Sequence, residues 1–249
     1  MRELISKTNL KPTIRTVQAN SHRVELRRRR PLNFIFGCIA LFCGLSALAA
    51  EPATVSFSLD FPSSDPEHYS ISVQSDGRAR YECSAQVSKD SDDRETYQTE
   101  FSFSDATRAR IFDLAARAHY FSGKIDSGKS RLANTGAKKL AYKDGQRESA
   151  AVYNYSPVPA VQQLTTLFQS VSATLEFGRR LAYLHRYQKL ALDDELKRME
   201  DQARQGDLVE LQTVKPVLQD IYADGSVMNV VRARAQRIME MGPGVAAKR

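Results

Sequence analysis

Thr54-Val55-Ser56-Phe57-Ser58-Leu59-Asp60-Phe61 is the stretch from which the rest of the chain is read. Val55, Phe57, Leu59 and Phe61 fall on one side of an extended backbone, and Thr54, Ser56, Ser58 and Asp60 on the other. A period of two marks a strand with one face buried and the other in water. Working outward, Pro62 to Pro66 makes a loop, and Tyr69, Ile71 and Val73 then repeat the alternation. Asp76-Gly77 supplies turn chemistry, and Tyr81, Cys83, Ala85 and Val87 resume the pattern, so these segments predict a hairpin. After a polar loop from Lys89 to Arg94, Tyr97, Thr99, Phe101 and Phe103 predict a fourth strand.

The period changes at Ser104. Ser104 is suited to cap a helix, Asp105 suits its first turn, and Ile111, Leu114, Ala115 and Ala118 recur at helical spacing up to about Tyr120. A second hairpin is expected from Lys138–Lys143 and Glu148–Asn154 around Asp144-Gly145. Ser156-Pro157 reads as the N-cap and first residue of a helix carrying Val161, Leu164, Phe168, Val171 and Leu175. The order ββββαββα over residues 50–175 predicts an α+β fold, a mainly antiparallel sheet of about six strands with helices on one face.

From Glu176 onward the spacing is helical throughout. Leu181, Leu184, Leu192, Leu196, Met199 and Ala203 predict a long helix to Gly206. Leu208, Leu211, Leu218 and Ile221 predict another, which Pro216 must kink or start late. Val227, Val231 and Ile238, beyond Asp224-Gly225, predict the last. Residues 176–241 are thus expected to be a helical extension, a long helix plus a helical hairpin, with 242–249 a disordered tail.

On the N-terminal side lies a charge asymmetry. Residues 1–50 hold nine Lys or Arg against Glu3 and Glu25, whereas residues 51–249 hold 27 basic and 27 acidic residues. The whole net charge of +7 belongs to the leader. Arg27 to Arg30 precede an uncharged run from Pro31 to Ala50 that ends Ala47-Leu48-Ala49-Ala50. That is the layout of a signal peptide, with cleavage expected after Ala49 and Ala50 as second choice. Residues 1–49 would be removed; the n-region is long enough that the true start could be downstream. The alternative is an uncleaved signal anchor with the C-terminal domain outside the inner membrane. Either reading exports the domain, to the periplasm or the extracellular space.

Balanced charge in the exported part argues against a nucleic-acid partner, which needs a basic surplus. Cys83 is the one cysteine after the leader, so no intrachain disulfide is expected there, and its place on a strand reads as a small buried hydrophobe. Gly123-Lys124-Ile125-Asp126-Ser127-Gly128-Lys129-Ser130 matches the phosphate-loop pattern. Its context is wrong, since a helix precedes it and a strand follows, and nucleotide binding needs the reverse. His68, His119 and His185 have no metal-ligand spacing, and Asp90, Asp92 and Asp93 lack the glycine and distal Glu of a calcium loop. No nucleophile elbow occurs. No catalytic residue, cofactor or metal ligand is therefore assigned. Arg232, Arg234 and Arg237 are the one possible interaction surface, for an acidic partner or anionic headgroups.

Residues 69–171 loosely resemble uncharacterised secreted bacterial α+β domains. The similar run is the hairpin around Ser75-Asp76-Gly77, the helix ending Ala118-His119-Tyr120-Phe121 and the hairpin around Asp144-Gly145. The resemblance implies a fold and an address but no activity. The expected function is a non-enzymatic binding module of the bacterial envelope, with an unknown protein or envelope component as partner and membrane contact only through a retained leader. A secreted hydrolase is the alternative.

Overall fold

Strand β1 (Thr54–Asp60) lies inside a six-stranded sheet, between β2 (His68–Gln74) and β5 (Ala137–Lys143). With β3 (Arg78–Gln86), β4 (Arg94–Ser102) and β6 (Glu148–Tyr153) the order is β4-β3-β2-β1-β5-β6, every neighbouring pair antiparallel. The computed structural model describes residues 51–62, 64–86, 94–129 and 131–242. The leader with its Ala49 site, the acidic loop at Asp90, Asp92 and Asp93, and the tail from Pro243 lie outside the described residues.

Alternation along each strand becomes rows across the sheet. Phe57 sits opposite Ile71 on one side and Leu140 on the other, and Leu59 opposite Tyr69 and Lys138. These inward rows pack against α1 (Asp105–Arg117) and α2 (Pro159–Tyr187); the rings of Phe57 and Phe168 stack with centroids 5.4 Å apart. The other face, with Ser56, Ser58, Ser70 and Ser72 in its middle, is only partly shielded. One wet face is what an antiparallel sheet allows. The α+β architecture is the expected one.

Helix starts and stops differ in detail from the sequence reading. Ser104 caps α1 as expected, its side chain accepting from the Thr107 N–H. The helix ends at Arg117 rather than near Tyr120, because His119, Tyr120 and Phe121 all adopt positive φ (51°, 54° and 64°) and reverse the chain so that Phe121 is buried. Ser156 is not the cap of α2. The helix begins at Pro159 after an extended Val158, since the proline ring disfavours a helical residue before it.

Helix α2 also runs through residues 175 and 176 without interruption. Gly178 does not end it; a Cβ there would stand 2.6 Å from Val214 Cγ1, so glycine permits close approach of the Leu211–Val214 turn. The long helix expected from Leu181 to Gly206 is instead broken at Gln188–Ala191, and α3 (Leu192–Gln205) follows, closed by Gly206 at φ 78°. Helix α4 (Lys215–Ala223) carries Pro216 in its first turn, where the missing N–H costs nothing. Helix α5 (Asn229–Glu240) completes the hairpin.

Two buried clusters result. Val55, Phe57, Ile71, Tyr81, Ile111 and Phe168 belong to the sheet core, while Leu181, Leu196, Met199, Leu218, Val231 and Ile238 belong to the helical one. Each such side chain contributes about 1.5–3 kcal/mol by leaving water. Helix α2 supplies Val161 to Leu175 to the first cluster and Phe177 and Leu181 to the second.

Candidate functional site

The candidate residues fall in separate places. His68 Nδ1 lies 2.5 Å from Asp60 Oδ1 on the open sheet face. His119 is in the left-handed turn. His185 Nε2 lies 2.9 Å from Asp224 Oδ2 at the far end of α2. Cys83 is buried beneath α2. Among the described residues no group of three or more His, Cys, Asp or Glu is placed to hold a metal ion.

Cys83 belongs to a polar cluster that the sequence did not reveal. Glu176 of α2 is buried and accepts from the Tyr81 hydroxyl (2.8 Å), the Cys83 thiol (3.2 Å) and Arg179 Nε (2.9 Å). Arg180 then reaches Glu195 of α3 at 2.7 Å, and Arg198 completes that pair. Burial, reinforced by the nearby Glu176 charge, pushes the Cys83 thiol up to about 12. A thiol so raised stays protonated and donates; a nucleophile needs the opposite shift. The cluster ties β3, α2 and α3 together.

The phosphate-loop match leads from the left-handed turn into an irregular loop and then β5. Asp126 anchors it by accepting the N–H groups of Gly128 (2.7 Å) and Asn154 (3.2 Å), which hold its carboxyl below the usual range. Beside this loop, Lys138 occupies an inward position of β5. Its ammonium is buried and donates to Thr135 O, Thr135 Oγ1 and Asn154 O at 2.8–3.1 Å. Those oxygens stand in for water around the charge, and burial lowers the lysine pKa.

The three arginines of α5 do not share a role. Arg234 reaches Glu200 at 3.1 Å and also binds Asp193, and Arg237 reaches Glu200 at 2.8 Å. Both neutralise a carboxylate buried between α3 and α5. Arg232 instead donates to the Tyr222 carbonyl at 2.7 Å and lies over the Tyr222 ring.

Grooves and apolar exposure occur in different parts of the surface. A groove of about 520 Å³ crosses the open sheet face at Gln74, Arg80 and Glu100, and one of about 580 Å³ runs between Arg110, Gln163 and Asp207. Neither contains a histidine or Cys83. Eight large apolar side chains are exposed among the described residues, and five of them, Tyr187, Leu190, Tyr222, Met228 and Val230, lie where α2 ends and α4 turns into α5. Asp224 pins these two segments together, accepting from Lys189 Nζ at 2.6 Å and meeting His185. Ser226 closes the turn on Asp224 Oδ1 at 2.7 Å. Lys189 foremost, then Ser226 and His185, hold the Asp224 carboxyl well below the usual carboxylate range. Leu190, 84% exposed, is the most prominent of the five.

This apolar tip is the candidate interaction site. The sequence held one sign of it: Leu190 is out of step with the spacing of Leu181, Leu184, Leu192 and Leu196. No protein-family model matches the chain, and no curated protein matches it.

Proposed function

We propose that the chain is an exported protein whose mature part is a non-enzymatic interaction module of the bacterial envelope or extracellular space, with the tip as its contact surface. The gathering of five exposed apolar side chains on two segments clamped by Asp224 carries this reading. Contiguous exposed apolar surface on a folded chain marks an interaction site. The leader sequence supplies the address, and the protonated Cys83 weighs against thiol chemistry.

Fractionation of cells producing the full chain tests the address. The expected product is soluble and begins Ala50-Glu51-Pro52; intact chain held in the inner membrane would instead mean a signal anchor, and cytoplasmic chain would overturn export. Capture of envelope components is then compared between the wild type and Leu190→Asp, both checked for unchanged circular dichroism. Loss of captured material with Leu190→Asp is expected. Equal capture would remove the tip from the interaction.

A further inference from the structure

We propose that the tip is a peripheral membrane contact that rests on an anionic phospholipid surface. This deepens the binding-module reading and depends on it. The sequence offered a retained leader, and Arg232, Arg234 and Arg237 for anionic headgroups; the tertiary structure places Arg232 instead in a surface made by residues far apart in the chain.

Three observations favour lipid over a second polypeptide. First, the exposed apolar groups protrude. Leu190 is 84% exposed, Tyr187 61% and Val230 52%, and none of them lines either groove described above. A docked peptide lies in a groove, whereas protruding aliphatic groups outside any such groove bury themselves by entering the boundary between headgroups and acyl chains. Second, both tyrosines of the tip are paired with a guanidinium. Arg186 lies over the Tyr187 ring at 5.2 Å and Arg232 over the Tyr222 ring at 5.7 Å. A ring with an apolar body and polar end suits the headgroup level, and an arginine beside it can reach phosphate while its stem stays in apolar surroundings. Third, the charge complements an anionic surface. Residues 183–191 and 222–232 contain Arg186, Lys189 and Arg232 against Asp224 alone, a basic surplus within residues 51–249, whose charges sum to zero overall. Asp193, which Arg234 binds, and Asp194 and Asp220 flank these segments in the chain. Lys189 is neutralised by the Asp224 carboxylate, whereas Arg232 donates only to neutral groups, the Tyr222 carbonyl and Asn229, and keeps its charge, so Arg186 and Arg232 are the residues assigned to headgroups. The Asp224 clamp presents both halves of the surface together, which lowers the ordering cost of docking.

The test uses the protein as it accumulates in an exporting host. Binding is measured by co-sedimentation with vesicles of phosphatidylcholine alone and of phosphatidylcholine with 30% phosphatidylglycerol. Binding to the anionic vesicles is expected, falling steeply with salt. Leu190→Asp should weaken it roughly tenfold or more, as loss of one inserted leucine implies. Arg186→Glu with Arg232→Glu should weaken it by a similar factor, and Lys197→Glu, an exposed α3 substitution, should leave binding nearly unchanged. Equal binding to both vesicle types, or binding indifferent to Leu190→Asp, would overturn the proposal. If vesicles are not bound but Leu190→Asp still abolishes capture of an envelope protein, the lipid assignment falls and the binding-module reading stands. If Leu190→Asp changes neither, both fall.

Discussion

Gly178 shows how one missing methyl group sets a helix contact. In an isolated helix glycine is the poorer choice by about 1 kcal/mol, yet here a Cβ would enter the space of Val214. Gly178→Ala is therefore expected to destabilise the protein by about 1–3 kcal/mol, the usual result of overpacking. Adding Val214→Ala should recover part of the loss, and urea unfolding of the single and double variants measures both. Cys83 supports a second prediction. With its pKa pushed up to about 12, on the order of a thousandth or less of it is thiolate at a mildly alkaline pH, so alkylation in the native state should be very slow. Mass mapping after iodoacetamide should find Cys83 labelled only when the protein is unfolded. Rapid native labelling would show that the bond to Glu176 opens readily. The left-handed run His119-Tyr120-Phe121 is a further conformation that only its surroundings sustain: Tyr120 packs on Tyr142 at 4.6 Å under the Arg147 guanidinium, and Phe121 is buried.

Helices α3 and α5 are joined through Glu200, which Arg204, Arg234 and Arg237 surround. The hydrogen bond from Arg237, ahead of the other charges, depresses the Glu200 pKa below its ordinary value. A carboxylate depressed in the folded state stabilises it above the unfolded pKa, about 4.3 for Glu, and loses that contribution as pH falls through the folded value. Stability should accordingly be flat near neutrality and decline in acid, and Glu200→Gln should show a shallower decline below about pH 4.3. Urea midpoints measured across that range check it; parallel declines in the two proteins would assign the acid sensitivity elsewhere. Glu210 links the helical part to α1 in a related way. Its buried carboxylate accepts the Ser104 N–H at 2.9 Å and hydroxyl at 2.7 Å, adding an anion where the α1 dipole is positive.

The described residues belong to one compact unit, and α2 contributes to both of its apolar clusters. A shared helix, the Glu176–Arg180–Glu195 chain and the Glu210 cap leave no seam along which the sheet could open alone. Thermal unfolding followed by tyrosine fluorescence, which reports mainly the sheet core, and by far-ultraviolet dichroism at 222 nm should therefore give coincident curves. Separate transitions would show that the helical part folds independently of the sheet. The alternation of Val55, Phe57 and Leu59 was enough to specify strands, because side-chain direction along a strand has a strict period, and turn residues such as Asp76-Gly77 act over a few bonds. The element order ββββαββα and the capping of α1 by Ser104 were legible for the same local reason. The continuation of α2 past residue 175 was not, since there the helix passes from the sheet core to the helical cluster, and which cluster a residue joins is set by distant partners such as Val214. The tip was even less visible. Leu190 falls outside the helical spacing around it, but Met228 and Val230 look like ordinary core residues, and whether any of the three is buried depends on the break at Gln188 and on an Asp224 bond spanning 35 residues. Local patterning thus determined the elements. Long-range packing decided which charges became internal, which thiol came to face a buried carboxylate and which apolar side chains remained in water, because burial is a property of the assembled fold and not of any segment alone.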